Sequence, residues 1–196
     1  APRRERVILV HGICADAGMW DGLVQYLDHP PTPPGGEGYD VYAINYKKTD
    51  QPGKQPVEIL RKAIGQGSRP VHIVAHSMGG LVTRSYFQQE KAAHREHPNI
   101  KTFITLGTPH HGTDGGLFAI NHPSVVGLFT AFDPSCERVW HDAFWDMLPG
   151  SDYLNLLNYG TTTGDVDKKH QYSWEQPVTD RSENFYEGPI PVSIAG

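Results

Sequence analysis

Short runs of β-branched and aliphatic residues alternate along this chain with segments of helical spacing. The first run, Arg6–Val10, is nearly continuous in such side chains, which is typical of strands buried on both faces of a parallel sheet. Similar runs follow at 39–46, 71–75, 100–106 and 190–195. Helical spacing lies between them, at 19–27, 56–64 and 79 to about 91. This alternation predicts βαβ units with right-handed crossovers, and therefore a mostly parallel, doubly wound α/β sheet.

Length and charge narrow the class of protein. A chain of 196 residues with 38% hydrophobic residues suits one domain with a real core, and we predict a single domain over residues 1–196. The net charge of −5 argues against a nucleic-acid partner, because phosphate binding needs a basic face. No apolar run approaches the roughly 20 residues of a membrane span. The cellular location stays open, with secretion among the options.

The segment between 112 and 158 breaks the alternation. It has no strand pattern, but it is rich in aromatic and aliphatic side chains, among them Phe118, Phe129, Trp140 and Trp145. Such a stretch is too long and too apolar for an ordinary connection. We predict a helical insertion at about 115–158 that covers the sheet, either as a mobile lid that opens to lipid or as a permanently packed cap. The stretch 161–174 is polar and is predicted to be irregular.

The third strand ends in the sequence Ala-His-Ser-Met-Gly-Gly at 75–80, directly before a helix. This is the nucleophile-elbow pattern with alanine in the first small position. A sharp turn there pushes the Ser77 hydroxyl out of the sheet edge, and small neighbours are needed because strand and helix pass closely. We predict that Ser77 is a catalytic nucleophile; the alternative is a plain helix N-cap.

The first strand closes on His11 and Gly12, whose loop lies at the same carboxyl edge of a parallel sheet. We predict that the backbone amides of Ile13 and Met78 form an oxyanion hole beside Ser77. For His11 we favour a structural role, with its ring bonded to the backbone, over a role in proton transfer.

These motifs occur in a familiar order. Val10-His11-Gly12, the elbow at 75–80 and the sequence Thr-Leu-Gly-Thr-Pro-His-His-Gly-Thr at 105–113 together resemble the bacterial triacylglycerol lipases of the α/β-hydrolase superfamily. The Ala-first elbow is similar to that of Bacillus-type lipases, and residues 146–158 resemble a segment behind their lid. The resemblance implies hydrolysis of carboxylic esters, acylglycerols above all, by a Ser-His-Asp triad without a cofactor. It also implies a lipid or ester substrate, met in some cases at a lipid–water interface.

The segment Ile190–Gly196 resembles the strand that precedes the catalytic acid in that family. The acid and then the histidine come later in the family's order, so we expect both after Gly196, which makes the fold C-terminally incomplete. The internal substitutes are Asp114 as the acid, with His122, His141 or His170 as the base. We expect no imidazole of this chain, these three included, within hydrogen-bond reach of the Ser77 hydroxyl.

Several further sets of reactive side chains carry weaker signals. Cys14 and Cys136 form either one disulfide or two free thiols. No metal site is predicted. The sets that we interpret as surface or structural residues, rather than as ligands of a metal such as calcium, are His94 with His97, His110 with His111, and Asp165 and Asp167 with Asp152.

Two more functions fit the same pattern. An acyltransferase or thioesterase uses the same scaffold with another acceptor or another ester. A non-catalytic binding module keeps the elbow but lacks the triad. A covalent serine probe separates an enzyme from a binding module, because only an enzyme is labelled at Ser77.

Overall fold

A computed structural model of the chain describes residues 4–30, 38–47, 51–65, 68–95, 99–113, 142–160 and 192–194. Its strands are β1 (Arg6–Val10), β2 (Asp40–Ile44), β3 (Val71–His76), β4 (Ile100–Leu106) and β5 (Val192–Ile194). Its helices are a 3-10 turn at Ala17–Trp20, α1 (Asp21–Asp28), α2 (Gln55–Ile64), α3 (Met78–Ala92), α4 (Asp142–Asp146) and α5 (Asp152–Tyr159). All strand pairs are parallel, in the order β2-β1-β3-β4-β5.

The register of the sheet brings three loops together. Val10, the last residue of β1, lies opposite Ile44 of β2 and Ala75 of β3, so these strands end level at the carboxyl edge. The predicted parallel α/β sheet is therefore confirmed. The helical spacing predicted from residue 19 differs in detail, because the chain first forms the 3-10 turn, in which the Asp16 side chain accepts a hydrogen bond from the Gly18 amide at 2.9 Å.

The core lies on both faces of β1, as its continuous apolar pattern requires. On one face Ile8 and Val10 pack with Leu60 of α2 and Leu81 of α3, all fully buried or nearly so. On the other face Val7 and Leu9 pack with Trp20, and α1 contributes Leu23, Val24 and Leu27. These contacts hold β1, an interior strand between β2 and β3, and with it the loop that follows it, in a fixed position.

The last described helices belong to the predicted insertion. Leu154 of α5 is fully buried in the same core as Leu81, and the Tyr153 hydroxyl is 2.7 Å from the Ser85 hydroxyl of α3. Residues 142–160 thus pack against the sheet and α3, while the stretch 115–141 of the predicted insertion lies outside the described residues. Within the described ranges, no helix has the length and apolarity that a membrane span requires.

A cluster of charges joins α2 to α3. The buried carboxylate of Glu90 accepts hydrogen bonds from Arg61 Nε at 2.8 Å and from Arg95 Nε at 2.6 Å. Arg61 also pairs with Glu58 one turn away. The hydrogen bond from Arg95, together with that from Arg61, keeps the pKa of the Glu90 carboxyl below its ordinary value in spite of its burial.

Candidate active site

Ser77 connects β3 to α3 in a backbone conformation that L-residues rarely adopt. Its φ of 52° and ψ of −126° place it in a strained region. The turn is held by hydrogen bonds, from the Ser77 amide to the Leu106 carbonyl at 2.8 Å and from the Gly80 amide to the Ser77 carbonyl at 3.1 Å. This is the geometry of a nucleophile elbow. The alternative of an N-cap by the side chain is wrong, because Ser77 makes no side-chain capping bond to α3.

The glycines around Ser77 are required by close backbone contacts. A Cβ at Gly79 would lie 2.5 Å from the Val10 carbonyl oxygen and 2.6 Å from that of His11. A Cβ at Gly12 would lie 2.7 Å from the Cβ of Ser77. The loop after β1 therefore approaches the elbow so closely that Gly12 and Ser77 are neighbours in space, as the motif order predicted.

The two amides predicted for the oxyanion hole lie on these two turns. The Met78 amide belongs to the first residue of α3, where a helix leaves its N–H groups without intrahelical partners. Neither this N–H nor that of Ile13 donates to an acceptor in the described part of the chain. Both amides are therefore without an acceptor among the described residues, and the positive end of the helix dipole favours a negative charge beside Met78.

His11 is bonded to the backbone, as its predicted structural role requires. Its ring is fully buried, with Nδ1 2.8 Å from the Gly12 carbonyl oxygen and Nε2 3.4 Å from the Tyr46 amide nitrogen. A carbonyl only accepts and an amide N–H only donates, so the proton lies on Nδ1 and Nε2 is the acceptor. The bond fixes the carbonyl of the Gly12–Ile13 peptide, whose other end is the Ile13 N–H.

Two histidines follow β4: His110 is partly buried, and His111 is exposed. Arg84 Nη1 lies 3.4 Å from Nδ1 of His110, and His110 Nε2 lies 3.1 Å from the Thr105 hydroxyl. Burial, aided by the charge of Arg84 and by His111, lowers the pKa of His110 to about 4. Loss of hydration is also the first cause that lowers the pKa of His111, and the charge of Arg84 is the second. The neutral His110 ring thus joins β4 to α3, in line with the structural role predicted for it.

Arg84 connects this loop to α5. Its guanidinium donates to the side-chain oxygen of Asn158 at 2.7 Å, and Asn158 donates in turn to the His110 carbonyl at 3.0 Å. Neither Arg84 nor Tyr46 is predicted as a site residue from the sequence. The only signal for either is its position: Arg84 lies about two turns after Ser77 on α3, and Tyr46 follows β2 at the carboxyl edge.

Two buried polar atoms flank the elbow. His76 Nδ1 and Thr108 Oγ1 have no hydrogen-bond partner in the described ranges. If Gly12 carried a Cβ, that atom would lie 3.2 Å from His76 Nδ1. A Cβ at Gly80 would lie 2.1 Å from Thr108 Oγ1. Buried polar atoms are normally paired, so these two are exceptions among the described residues.

A groove of about 440 Å³ opens at the same edge, on the side of β2. Its wall combines charged, amide and apolar side chains: Asp16, Asn45, Tyr46, Lys47, Gln55 and Ile59. The mixture suits a ligand with both polar and apolar parts.

The structure also bears on the weaker sequence predictions. Cys14 is disulfide-bonded, so the free-thiol alternative is wrong for this residue; Cys136 lies outside the described residues.

His94 follows the end of α3 with a φ of 53°, so it does not lie on the helix. Among the described residues, no three His, Cys, Asp or Glu side chains converge as a metal site. Asp152 lies in the first turn of α5.

The described residues supply no partner for the Ser77 hydroxyl. No hydrogen bond joins that hydroxyl to a described side chain, and thus none to a described imidazole. The remaining candidates for acid, base or metal ligand lie outside the described ranges: His97, Asp114, His122, His141, Asp165, Asp167 and His170. The prediction that acid and histidine follow Gly196 therefore stays a prediction.

A parallel sheet whose third strand leads through a strained serine into a helix defines the class of the protein, an α/β-hydrolase-like fold. Solved structures share this fold. The mature form of the Bacillus licheniformis lipase BlEst2 matches with a TM-score of 0.59 at 21% identity, over 82% of this chain and 60% of that chain. The phospholipase PlaB of Legionella pneumophila matches with a TM-score of 0.57 at 15% identity, over 98% of this chain and 39% of that chain.

Sequence comparison identifies the family. Residues 6–172 match the Palmitoyl protein thioesterase family, and the chain belongs to it. The lysosomal thioesterase PPT2-B of Xenopus laevis is 33% identical over 137 residues, which are 67% of this chain and 45% of the relative. The lysosomal thioesterase PPT2 of Bos taurus is 26% identical over 196 residues, 90% of this chain and 60% of the relative. The chain thus spans about half the length of these curated relatives.

The family assignment refines the expectation from the motifs. The predicted superfamily is confirmed, but the family is that of the palmitoyl protein thioesterases. The likeness to lipases of the Bacillus type is a likeness of fold, at 21% identity.

Proposed function

We propose that the protein is a serine hydrolase that cleaves acyl thioesters through an acyl-enzyme on Ser77. The observation that carries the proposal is the strained Ser77 turn with the unpaired amides of Ile13 and Met78 beside it. Membership of the Palmitoyl protein thioesterase family favours a thioester over an oxygen ester. The long acyl chain of the family's description makes a lipid-like substrate the natural expectation.

The reaction follows from the positions of these groups. Ser77 Oγ attacks the thioester carbonyl carbon while a histidine base, predicted after Gly196, accepts the hydroxyl proton. The amides of Ile13 and Met78 hold the negative oxygen of the tetrahedral intermediate. The intermediate collapses with loss of the thiol, which takes the proton from the imidazolium. Water then attacks the acyl-enzyme with the help of the same base, and the carboxylic acid leaves while Ser77 is regenerated.

A thioester makes a smaller demand on the general acid than an oxygen ester does. A thiol with a pKa of about 8.5 leaves readily as a thiolate, whereas an alkoxide must be protonated as it leaves. A site that combines the proposed nucleophile with two proposed oxyanion amides therefore suits a thioester. Oxygen-ester hydrolysis of acylglycerols is the second candidate function, which the motif at 105–113 favours through its resemblance to lipases.

A pair of matched substrates tests the proposal. The full-length protein is incubated with a long-chain acyl thioester and with the oxygen ester of the same acyl chain and the same leaving-group skeleton. We expect a higher kcat/KM for the thioester, and we expect Ser77→Ala to lower kcat for both by a factor on the order of 10⁶. A preference for the oxygen ester would favour the lipase function instead.

A fluorophosphonate probe and a product assay distinguish a hydrolase from a binding module and from an acyltransferase. The probe should label Ser77 in the wild type and leave Ser77→Ala unlabelled. An unlabelled wild-type protein would indicate a binding module. Transfer of the acyl group to an added alcohol in place of water would indicate an acyltransferase.

A further inference from the structure

Cys14 has a backbone conformation that does not suit its side chain. Its φ of 57° makes it one of three non-glycine residues in the described ranges with a positive φ, beside Ser77 and His94. For an L-residue with a Cβ this conformation is disfavoured by roughly 5- to 30-fold. Other contacts must therefore hold the chain in it.

Two contacts of Cys14 can do so. The residue is disulfide-bonded, and its side chain packs against the main core beside Ile13. A disulfide restricts where the Cα and Cβ of its cysteines can go, so it opposes the return of Cys14 to an ordinary conformation. The sequence contains one other cysteine, Cys136, which lies outside the described residues.

Cys14 directly follows Ile13, so its disulfide constrains the loop that carries the proposed oxyanion amide. Ile13, which carries the proposed oxyanion amide, lies between two fixed points of the backbone. On its N-terminal side, the Gly12 carbonyl is held by the His11 ring at 2.8 Å. On its C-terminal side lies Cys14 with its disulfide. If Cys14 relaxed to a negative φ, the chain on that side would change direction, and Ile13 would be fixed at one end only.

We infer that Cys14 is a positioning residue: its disulfide holds the loop after β1 in the conformation that points the Ile13 amide at the oxyanion. The inference rests on the proposed function of Ser77. It makes the hydrolase activity depend on the redox state of the protein. Reduction by a dithiol breaks the S–S bond, and two electrons and two protons pass to the cysteine sulfurs while the dithiol becomes a disulfide. The loop then loses its second fixed point.

The variants Cys14→Ala and Cys14→Gly separate positioning from overall stability. Both lack the disulfide, so both lose its contribution to stability. Only alanine has a Cβ that disfavours a positive φ, whereas glycine adopts it freely. We expect Cys14→Ala, and the wild type reduced with dithiothreitol, to lose about tenfold in kcat with little change in KM. Cys14→Gly should keep most of the wild-type kcat and should not respond to dithiothreitol.

A second measurement reads the loop without any substrate. Amide hydrogen exchange of the peptide that covers residues 11–16 should be faster in Cys14→Ala and in the reduced wild type than in the oxidised wild type. Reoxidation should restore both the slow exchange and kcat. Cys136→Ser should behave as reduced wild type at residue 14, because it leaves an unbridged cysteine there.

Several results would overturn the inference. Equal losses of kcat in Cys14→Ala and Cys14→Gly would mean that the disulfide acts through overall stability alone, and a wild-type kcat in Cys14→Ala would mean that the core packing suffices. If the fluorophosphonate probe failed to label Ser77 in the wild type, the proposed function would fail. Exchange at 11–16 would then still decide the inference, since unchanged exchange on reduction contradicts it.

Discussion

The imidazole of His11 stacks on the ring of Tyr46, with centroids 3.9 Å apart and planes inclined by 20°. The Tyr46 hydroxyl donates a hydrogen bond to the His11 carbonyl, and the Tyr46 amide donates to His11 Nε2. His11, which follows β1, and Tyr46, which follows β2, thus form a single unit at the carboxyl edge of the sheet. Through Nδ1 this unit also holds the Gly12 carbonyl, so it supports the proposed oxyanion loop.

Removal of the His11 ring should destabilise the protein strongly. His11→Ala deletes the stacked ring and leaves the buried Gly12 carbonyl without its partner, so we expect a loss of about 2–4 kcal/mol in the free energy of unfolding. Tyr46→Phe keeps the stacked ring and removes only the hydroxyl, which should cost about 1–2 kcal/mol. Urea unfolding of both variants measures the difference. Equal losses would show that the hydroxyl bond, rather than the imidazole, holds the unit together.

Substitution of Ser77 by glycine should stabilise the fold while it abolishes activity. The φ of 52° at Ser77 is costly for a residue with a Cβ and free for glycine. We expect Ser77→Gly to be more stable than Ser77→Ala by about 1 kcal/mol. Thermal unfolding of the two inactive variants tests this, because the hydroxyl is absent from both. A less stable glycine variant would mean that the turn is not strained.

The elbow could be predicted from the sequence because its determinants are local: an apolar strand, small residues on both sides of Ser77, and a helix directly after it. The contacts that support the proposed oxyanion loop could not be predicted in this way. The contact of His11 with Tyr46 depends on the register that sets Val10 opposite Ile44, and that register joins segments more than thirty residues apart. The contact of Tyr153 with Ser85 has the same non-local origin.

Alanine at Gly79 should be poorly tolerated. Its Cβ would lie 2.5 and 2.6 Å from the backbone carbonyl oxygens of Val10 and His11, and backbone in a packed core moves only at a cost. We expect Gly79→Ala to lose about 2 kcal/mol or more. Gly22→Ala on α1 is the matched control, since a Cβ there meets nothing within 4 Å. It should gain about 1 kcal/mol from helix propensity. Unfolding curves that rank the two variants in the opposite order would contradict the packing argument.

The Glu90 cluster should make stability depend on acid pH. The folded pKa of Glu90 lies below the ordinary value of 4.5, first because of the hydrogen bond from Arg95, so the folded state favours the ionised carboxylate. This stabilisation is complete above the unfolded pKa and is lost as the pH falls through the folded pKa. Glu90→Gln should therefore cost about 2 kcal/mol near neutral pH and less in acid. A cost that does not shrink below pH 4.5 would show that the charge is not what matters.

His110 should act in the same direction as Glu90, over a neighbouring and higher range of pH. Burial lowers its folded pKa to about 4 from an ordinary value of 6.5, so between these two values the unfolded chain binds a proton that the folded chain does not. The protonation of His110 in the unfolded chain should consequently lower the free energy of unfolding as the pH drops from 6.5 towards 4. His110→Asn removes the titrating ring, so the difference in stability between wild type and variant should narrow over that range. Urea unfolding of both proteins across the range measures it. A difference in stability that does not change with pH would mean that His110 is protonated in the folded protein as readily as in the unfolded chain. The contacts of His110 with Arg84 and Thr105 would then tolerate its positive charge.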